Sequence, residues 1–148
     1  MTAPHYEIIT PETPDFADRQ ILVGLLMAFN DATGGPTGHA PFALLLKNPA
    51  TGQTLGGLWG RFIYRWLYVE TVIVPDSLRG YDVGTQLLTQ AEHAARARDC
   101  IGIWLDTLSF QAEGFYTKLG YEKFGTLPGP DGKVHRIFMR KDLGGAGA

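Results

Sequence analysis

Apolar and polar positions along this chain follow two alternating rhythms. Tyr6-Glu7-Ile8-Ile9 alternates over a short stretch and reads as a strand, followed by the turn that Pro11 and Pro14 force. From Phe16 to Asn30 the period lengthens, and Phe16, Ile21, Leu22, Leu25, Leu26 and Phe29 share one broad helical face. The breaker-rich loop Thr33-Gly34-Gly35-Pro36-Thr37-Gly38 follows. Phe42–Lys47 and Thr54–Ile63 then read as a hairpin around the turn Asn48-Pro49-Ala50-Thr51-Gly52. A tight turn near Tyr64-Arg65 leads into a third long strand, Trp66–Val74.

The helical period returns between Thr85 and Arg98, with Val83, Leu87, Leu88, Ala91, Ala94 and Ala95 inward. Ile101–Leu105 is a short apolar run of the kind found in buried strands. Phe110–Leu119 reads as a short helix with Gly120 as its C-terminal cap. Tyr121–Thr126 and Val134–Arg140 are the last strands, joined through Pro128-Gly129-Pro130-Asp131-Gly132. The meander predicts antiparallel pairing. The crossover helix after Val74 predicts a parallel neighbour at Ile101–Leu105. The expected fold is therefore mixed α/β (α+β), a mostly antiparallel sheet with helices on both faces.

Composition narrows the class. A chain of 148 residues with 45% hydrophobic content predicts a single domain spanning residues 1–148, with a real core. No apolar run approaches the ~18–20 residues of a membrane span, and Met1–Glu7 lacks the basic start and apolar core of a secretory signal. A net charge of −2 with scattered basic residues argues against nucleic acid as the main partner. The single cysteine, Cys100, lies in an apolar run and reads as a buried thiol, which excludes an internal disulfide framework. No histidine pair has metal-ligand spacing, so no metal is expected. These features predict a soluble cytoplasmic protein. Gly144–Ala148 reads as a frayed end.

The candidate chemistry begins at Arg79-Gly80-Tyr81-Asp82-Val83-Gly84-Thr85, between the strand that ends at Val74 and the helix that follows. A strand, a glycine-bearing loop and a helix N-terminus make a phosphate cradle, because first-turn amides and the positive helix end both favour an anion. The local pattern also describes an ordinary strand-to-helix turn. It carries neither Gly-x-Gly-x-x-Gly nor a Gly-Lys-Ser/Thr triplet, which disfavours Rossmann and P-loop sites.

With the cradle, the downstream segment Ala112-Glu113-Gly114-Phe115-Tyr116-Thr117-Lys118-Leu119-Gly120-Tyr121 resembles the GNAT superfamily of acyl-CoA-dependent N-acyltransferases. The cradle is similar to the family's Gln/Arg-x-x-Gly-x-Gly/Ala signature, with Asp82 at the first motif glycine. The second segment looks like its Ala-x-x-Phe-Tyr-x-Lys-x-Gly-Phe motif. The order of elements agrees across nearly the whole chain.

The resemblance implies acetyl-CoA as cosubstrate, an amine acceptor on a small molecule or a protein and, in many relatives, a homodimer. It implies that Val72, Ile73 and Val74 pair with the pantetheine arm. Arg79, Gly80, Tyr81, Asp82, Val83, Gly84 and Thr85 would hold the pyrophosphate. Ser109 stands where many relatives carry an asparagine that contacts the arm, and Phe115 and Tyr116 complete the site. The Asp82 side chain is expected to turn away and cap the helix.

By the same resemblance Tyr116 stands beside the thioester sulfur. Read from the residues alone, it is equally a core aromatic beside Ala112, Phe115 and Leu119. Glu70 interrupts an apolar strand and is the candidate base, the alternative being a salt bridge to Arg61 or Arg65. His135 and Arg136 fall near the acceptor side. A non-catalytic acyl-CoA-binding domain is the competing reading.

Overall fold

The computed structural model of this protein describes residues 1–145, so most of the expected frayed tail lies outside the described residues. The chain divides into two compact units, Met1–Pro36 and Thr37 onward.

The first unit is helix α1 (Phe16–Gly34) with a segment of no regular secondary structure before it. Asp15 starts the helix by accepting a hydrogen bond from the Ala17 amide at 2.8 Å, and Gly35, at φ 84°, ends it. The helix therefore begins where the periodicity predicts and runs on past Asn30. The expected strand at Tyr6–Ile9 does not form. A strand exists only through a partner's backbone groups, and an alternating pattern predicts the faces it would show without supplying that partner. The apolar stripe of α1 is exposed, with Phe16 at 81% and Leu22 at 67%.

The second unit is built on a sheet of β1 (Ala40–Lys47), β2 (Thr54–Ile63), β3 (Trp66–Ile73), β4 (Gly102–Leu108), β5 (Glu122–Leu127) and β6 (Arg136–Asp142). Their spatial order is β1-β2-β3-β4-β6-β5. Helix α2 (Val83–Ala97) carries the chain from β3 to β4, and α3 (Glu113–Lys118) lies between β4 and β5. The β3–β4 pair is parallel, as the crossover predicts, and every other pair is antiparallel. The β2–β3 turn is held by Tyr64 and Arg65 at φ 46° and 62°, the left-handed pair a two-residue hairpin requires.

Alternation along the strands sends one set of side chains into a single core. Leu58 and Phe62 of β2, Leu67 and Val69 of β3, Ile103 and Leu105 of β4, and Ile137 and Met139 of β6 meet Leu87, Leu88, Ala91 and Ala95 of α2. Cys100 is 2% exposed in this core, where burial pushes its thiol up, in agreement with its reading as a buried thiol. Glu92 of α2 accepts from Lys141 of β6 at 2.8 Å and from Arg96 at 3.0 Å. Burial opposes its ionisation, but the two cations outweigh that and hold its carboxyl below the usual range. The opposite sheet face is polar and aromatic, with Tyr68 stacked on Trp104 at 3.9 Å between ring centroids. Among the described residues no helix is long and apolar enough to cross a membrane.

Candidate active site

The site starts from a failure of pairing at the centre of the sheet. The parallel ladder between β3 and β4 runs from Trp66 opposite Gly102 to Val69 opposite Leu105 and then stops. Both strands continue, β3 to Ile73 and β4 to Leu108, without pairing to each other. The β2–β3 register shows why they separate. Trp59 faces Thr71 and its neighbour Gly60 faces Val69, so Glu70 is the extra residue of a β-bulge. A bulge bends its strand and raises its twist, which turns β3 away from β4. The β4-facing edge of β3 beyond Val69 is left open to an extended ligand.

A cavity of about 620 Å³ fills this opening and continues to the start of α2. Val72, Ile73 and Val74 line one side, and Arg79, Gly80, Asp82, Val83, Gly84 and Thr85 line the cradle end. The first helical bond of α2 runs from the Gln86 amide to the Asp82 carbonyl. The amides of Val83, Gly84 and Thr85 therefore precede the ladder and face the position where an anion is favoured. Gly84 is small for a specific reason. A Cβ there would stand 3.2 Å from Cζ of Phe115, so the glycine lets α2 and α3 meet at the cavity wall.

Several expectations change in this cradle. Asp82 stands at the N-cap position of α2, yet its side chain makes no capping hydrogen bond. Its backbone is left-handed, φ 62° and ψ 24°, whereas a capping side chain needs extended backbone to reach the first-turn amides. The same positive φ explains why the family motif has glycine there. Tyr81 is 71% exposed and lies outside the cavity lining. Arg79 lines the cavity while paired with Asp76 at 2.8 Å. Ser109 is also absent from the lining. Its hydroxyl accepts from the His135 amide at 3.0 Å, and its own amide donates to the His135 carbonyl at 2.8 Å. It joins the loop after β4 to the start of β6 instead of facing the cavity.

A second cavity of about 310 Å³ adjoins the first. Val72, Gln111, Ala112 and Tyr116 line both. Tyr116 of α3 is 7% exposed and packs edge-on against Phe115 and Tyr121, at 5.2 and 5.7 Å between ring centroids. Burial pushes its phenol up to about 12. It is a core aromatic that also borders both cavities.

The second cavity is lined by Glu70 and Thr71 of β3, by Asp106 and Thr107 of β4 and by Arg136 of β6. Glu70 pairs with Arg61 at 3.5 Å, both side chains about a third exposed. The salt bridge weighed as the alternative is therefore present, with Arg61, and the same carboxylate borders the cavity. Asp106 accepts from the Tyr68 hydroxyl at 3.0 Å and from Nη1 of Arg136. Gln111 fixes the end of β4, where its Oε1 accepts from the Leu108 amide at 2.7 Å and from the Thr107 hydroxyl at 3.1 Å. Arg136 lines this cavity. His135 precedes β6 and is not part of the lining.

Sequence reasoning missed Leu78, Phe110, Gln111 and Ala112 in the larger cavity and Asp106 in the smaller one. Asp106 carried a usable signal, because it interrupts an apolar strand as Glu70 does.

Comparison with known proteins agrees with this architecture. Residues 6–121 match the Acetyltransferase (GNAT) family. An acetyltransferase of Agrobacterium fabrum is 36% identical over 102 residues, covering 69% of this chain and 74% of that protein. Blasticidin-S acetyltransferase of Streptomyces morookaense is 36% identical over 94 residues, covering 61% and 68%. The crystal structure of an acetyltransferase from Agrobacterium tumefaciens superposes with a TM-score of 0.83 at 27% identity, over 93% of this chain and all of that one. With its bulged and splayed central strands, its cradle and its position among these relatives, the chain belongs to the GNAT acetyltransferase family and is an acyltransferase.

Proposed function

We propose that this protein transfers the acetyl group of acetyl-CoA to an amine of a small molecule. The observation that carries this reading is Tyr116, which stands on the wall shared by two adjoining cavities, one ending in a helix-terminal amide cradle and one lined by carboxylates. The larger cavity suits a long cosubstrate. Its pyrophosphate fits the amides of Val83, Gly84 and Thr85, and its extended arm fits the open edge of β3. The arm would bring the thioester to the junction at Tyr116, with the amine entering from the smaller cavity. The similarity to blasticidin-S acetyltransferase supports a small-molecule acceptor over a protein amine.

The reaction balances without further reagents. The neutral amine nitrogen attacks the thioester carbonyl carbon, the tetrahedral intermediate loses a proton from its nitrogen to water, the C–S bond breaks, and an N-acetyl product and CoA thiolate leave. An amine of pKa ~10.4 must first shed a proton, at ~4.6 kcal/mol at pH 7. Glu70 borders the acceptor cavity and relays that proton through water. Tyr116 faces the departing sulfur. With its phenol at about 12 and a thiol near 8.5, full transfer is uphill by roughly 5 kcal/mol. Tyr116 therefore donates a hydrogen bond that strengthens as the thiolate forms, and solvent completes the protonation.

Thermal shift with acetyl-CoA, followed by a thiol-release assay over an amine panel, tests this. Ligand at about 100 times its Kd should stabilise the chain by ~2.7 kcal/mol, and at least one amine should release CoA. Binding without release across the panel would make the protein an acyl-CoA sensor, and absence of binding would end the reading.

A further inference from the structure

Two carboxylates, Glu70 and Asp106, and one cation, Arg136, line the smaller cavity, and they are not equally tied down. Asp106 is nearly buried at 12% side-chain exposure, whereas its partner Arg136 is 48% exposed. Both Asp106 oxygens are engaged, one by the Tyr68 hydroxyl and one by Nη1 of Arg136. The donating phenol is itself held in its protonated form, because burial and its bond to Asp106 raise it. Tyr68 belongs to β3, Asp106 to β4 and Arg136 to β6, so the chain of bonds ties three strands of the sheet to one guanidinium. Among the described residues the other guanidinium nitrogens of Arg136 make no hydrogen bond. A half-exposed arginine, fixed at one nitrogen and bordering a cavity, is a preorganised anion-binding fork.

We propose that the acceptor carries a carboxylate as well as its amine, and that Arg136 binds that carboxylate while Glu70 attends the amine. Asp106 is the positioning residue of this pair, acting on substrate through Arg136. The inference rests on the transferase reading above. A carboxylate suits the site better than a phosphate, because a dianion would stand beside Asp106 and Glu70 and meet stronger repulsion. The acceptor is therefore an amino-acid-like zwitterion or a larger molecule bearing both groups. A plain polyamine would leave the Arg136 fork unused and place a second cation beside it.

The test uses matched pairs, α- and β-amino acids against their own carboxamides, with kcat and KM read from CoA release. The wild-type protein should prefer the carboxylate member by roughly tenfold or more in kcat/KM. Arg136→Gln should erase that preference through a loss on the carboxylate member, carried mainly by KM. Asp106→Asn should shift the same way by a smaller factor, which a purely structural ion pair would not do selectively. Acetyl-CoA thermal shift on each variant checks that the fold and the larger cavity are intact. Wild-type protein that turns over carboxamides as well as carboxylates overturns this inference and leaves the transferase reading standing. The inference falls in the same way if Arg136→Gln lowers both members equally, or if acetyl-CoA binds and neither member of any pair is acetylated. Failure to bind acetyl-CoA at all removes both readings.

Discussion

Glu70 and Asp106 each follow directly after the last paired rung of the parallel ladder, Val69 opposite Leu105, and both border the smaller cavity. The two carboxylates thus mark the point where the sheet opens. Only Glu70 sits on a bulge, and its arginine partner lies outside the cavity lining. Glu70→Gln should lower turnover by roughly tenfold to a hundredfold at neutral pH. The Arg61 pair is partly exposed, so its loss should cost less than about 1 kcal/mol of stability. Full activity across pH in this variant would leave Glu70 with the salt bridge alone.

Tyr116→Phe separates chemistry from packing. The ring keeps its edge-on contacts with Phe115 and Tyr121, and only the hydroxyl is lost. Turnover should fall at least about tenfold, equivalent to ~1.4 kcal/mol of transition-state stabilisation, while the acetyl-CoA Kd stays within error by calorimetry. Unchanged turnover would return Tyr116 to the core.

Alkaline stability reads the same phenol without any substrate. Its folded pKa of about 12 lies above the unfolded value near 10. Between those values the unfolded chain gives up the proton first, so unfolding is favoured as pH rises. The contribution is complete below about pH 10 and is lost as pH climbs through the folded value, on the order of 2 kcal/mol. Tyr121 is also raised by burial and adds to the same loss. Denaturant midpoints from pH 9 to 12 should fall less steeply in Tyr116→Phe than in the wild-type protein.

Asp82→Gly should raise stability by about 0.5–1 kcal/mol, because the residue adopts φ 62° without a capping bond in return. Removing its carboxylate from the cradle should tighten acetyl-CoA binding or leave it unchanged. A large loss of affinity would give Asp82 a positive part in binding.

Gly84→Ala acts on the same cradle from the other direction. Its new methyl carbon would stand 3.2 Å from the Phe115 ring, which must give way by a few tenths of an ångström. Since Phe115 also lines the cavity, the acetyl-CoA Kd should rise several-fold, roughly 1 kcal/mol, with far less change in kcat. Calorimetry on the variant settles it.

The antiparallel meander and the parallel β3–β4 pair were legible from residue patterns, and much of the larger cavity's lining followed from the family resemblance. Apolar periodicity marks faces, and glycines mark left-handed backbone. Side-chain direction was not legible. Motif position placed Tyr81 and Ser109 at the cosubstrate, yet one is exposed and the other is joined to His135, since a motif fixes the path of the backbone more firmly than where each side chain points. The strand expected at Tyr6–Ile9 needed a partner that no local pattern could supply. The pairing of Asp106 with Arg136 was hidden because the two lie 30 residues apart in sequence and meet only through the β4–β6 ladder. The β-bulge was invisible because it is a mismatch between two strands, and neither strand read alone records it.

That mismatch has a consequence for how this enzyme tolerates change. The opening between β3 and β4 is set by a count, one residue more on β3 than β2 can pair, and not by the identity of any side chain in it. A substitution at Glu70 keeps that count, so it should leave the opening itself in place even where it costs activity. A single deletion within β3 would instead restore the register with β2, remove the bend and draw the strand straight toward its neighbour. Changes of length here, unlike a change of side chain at Glu70, act on the opening itself.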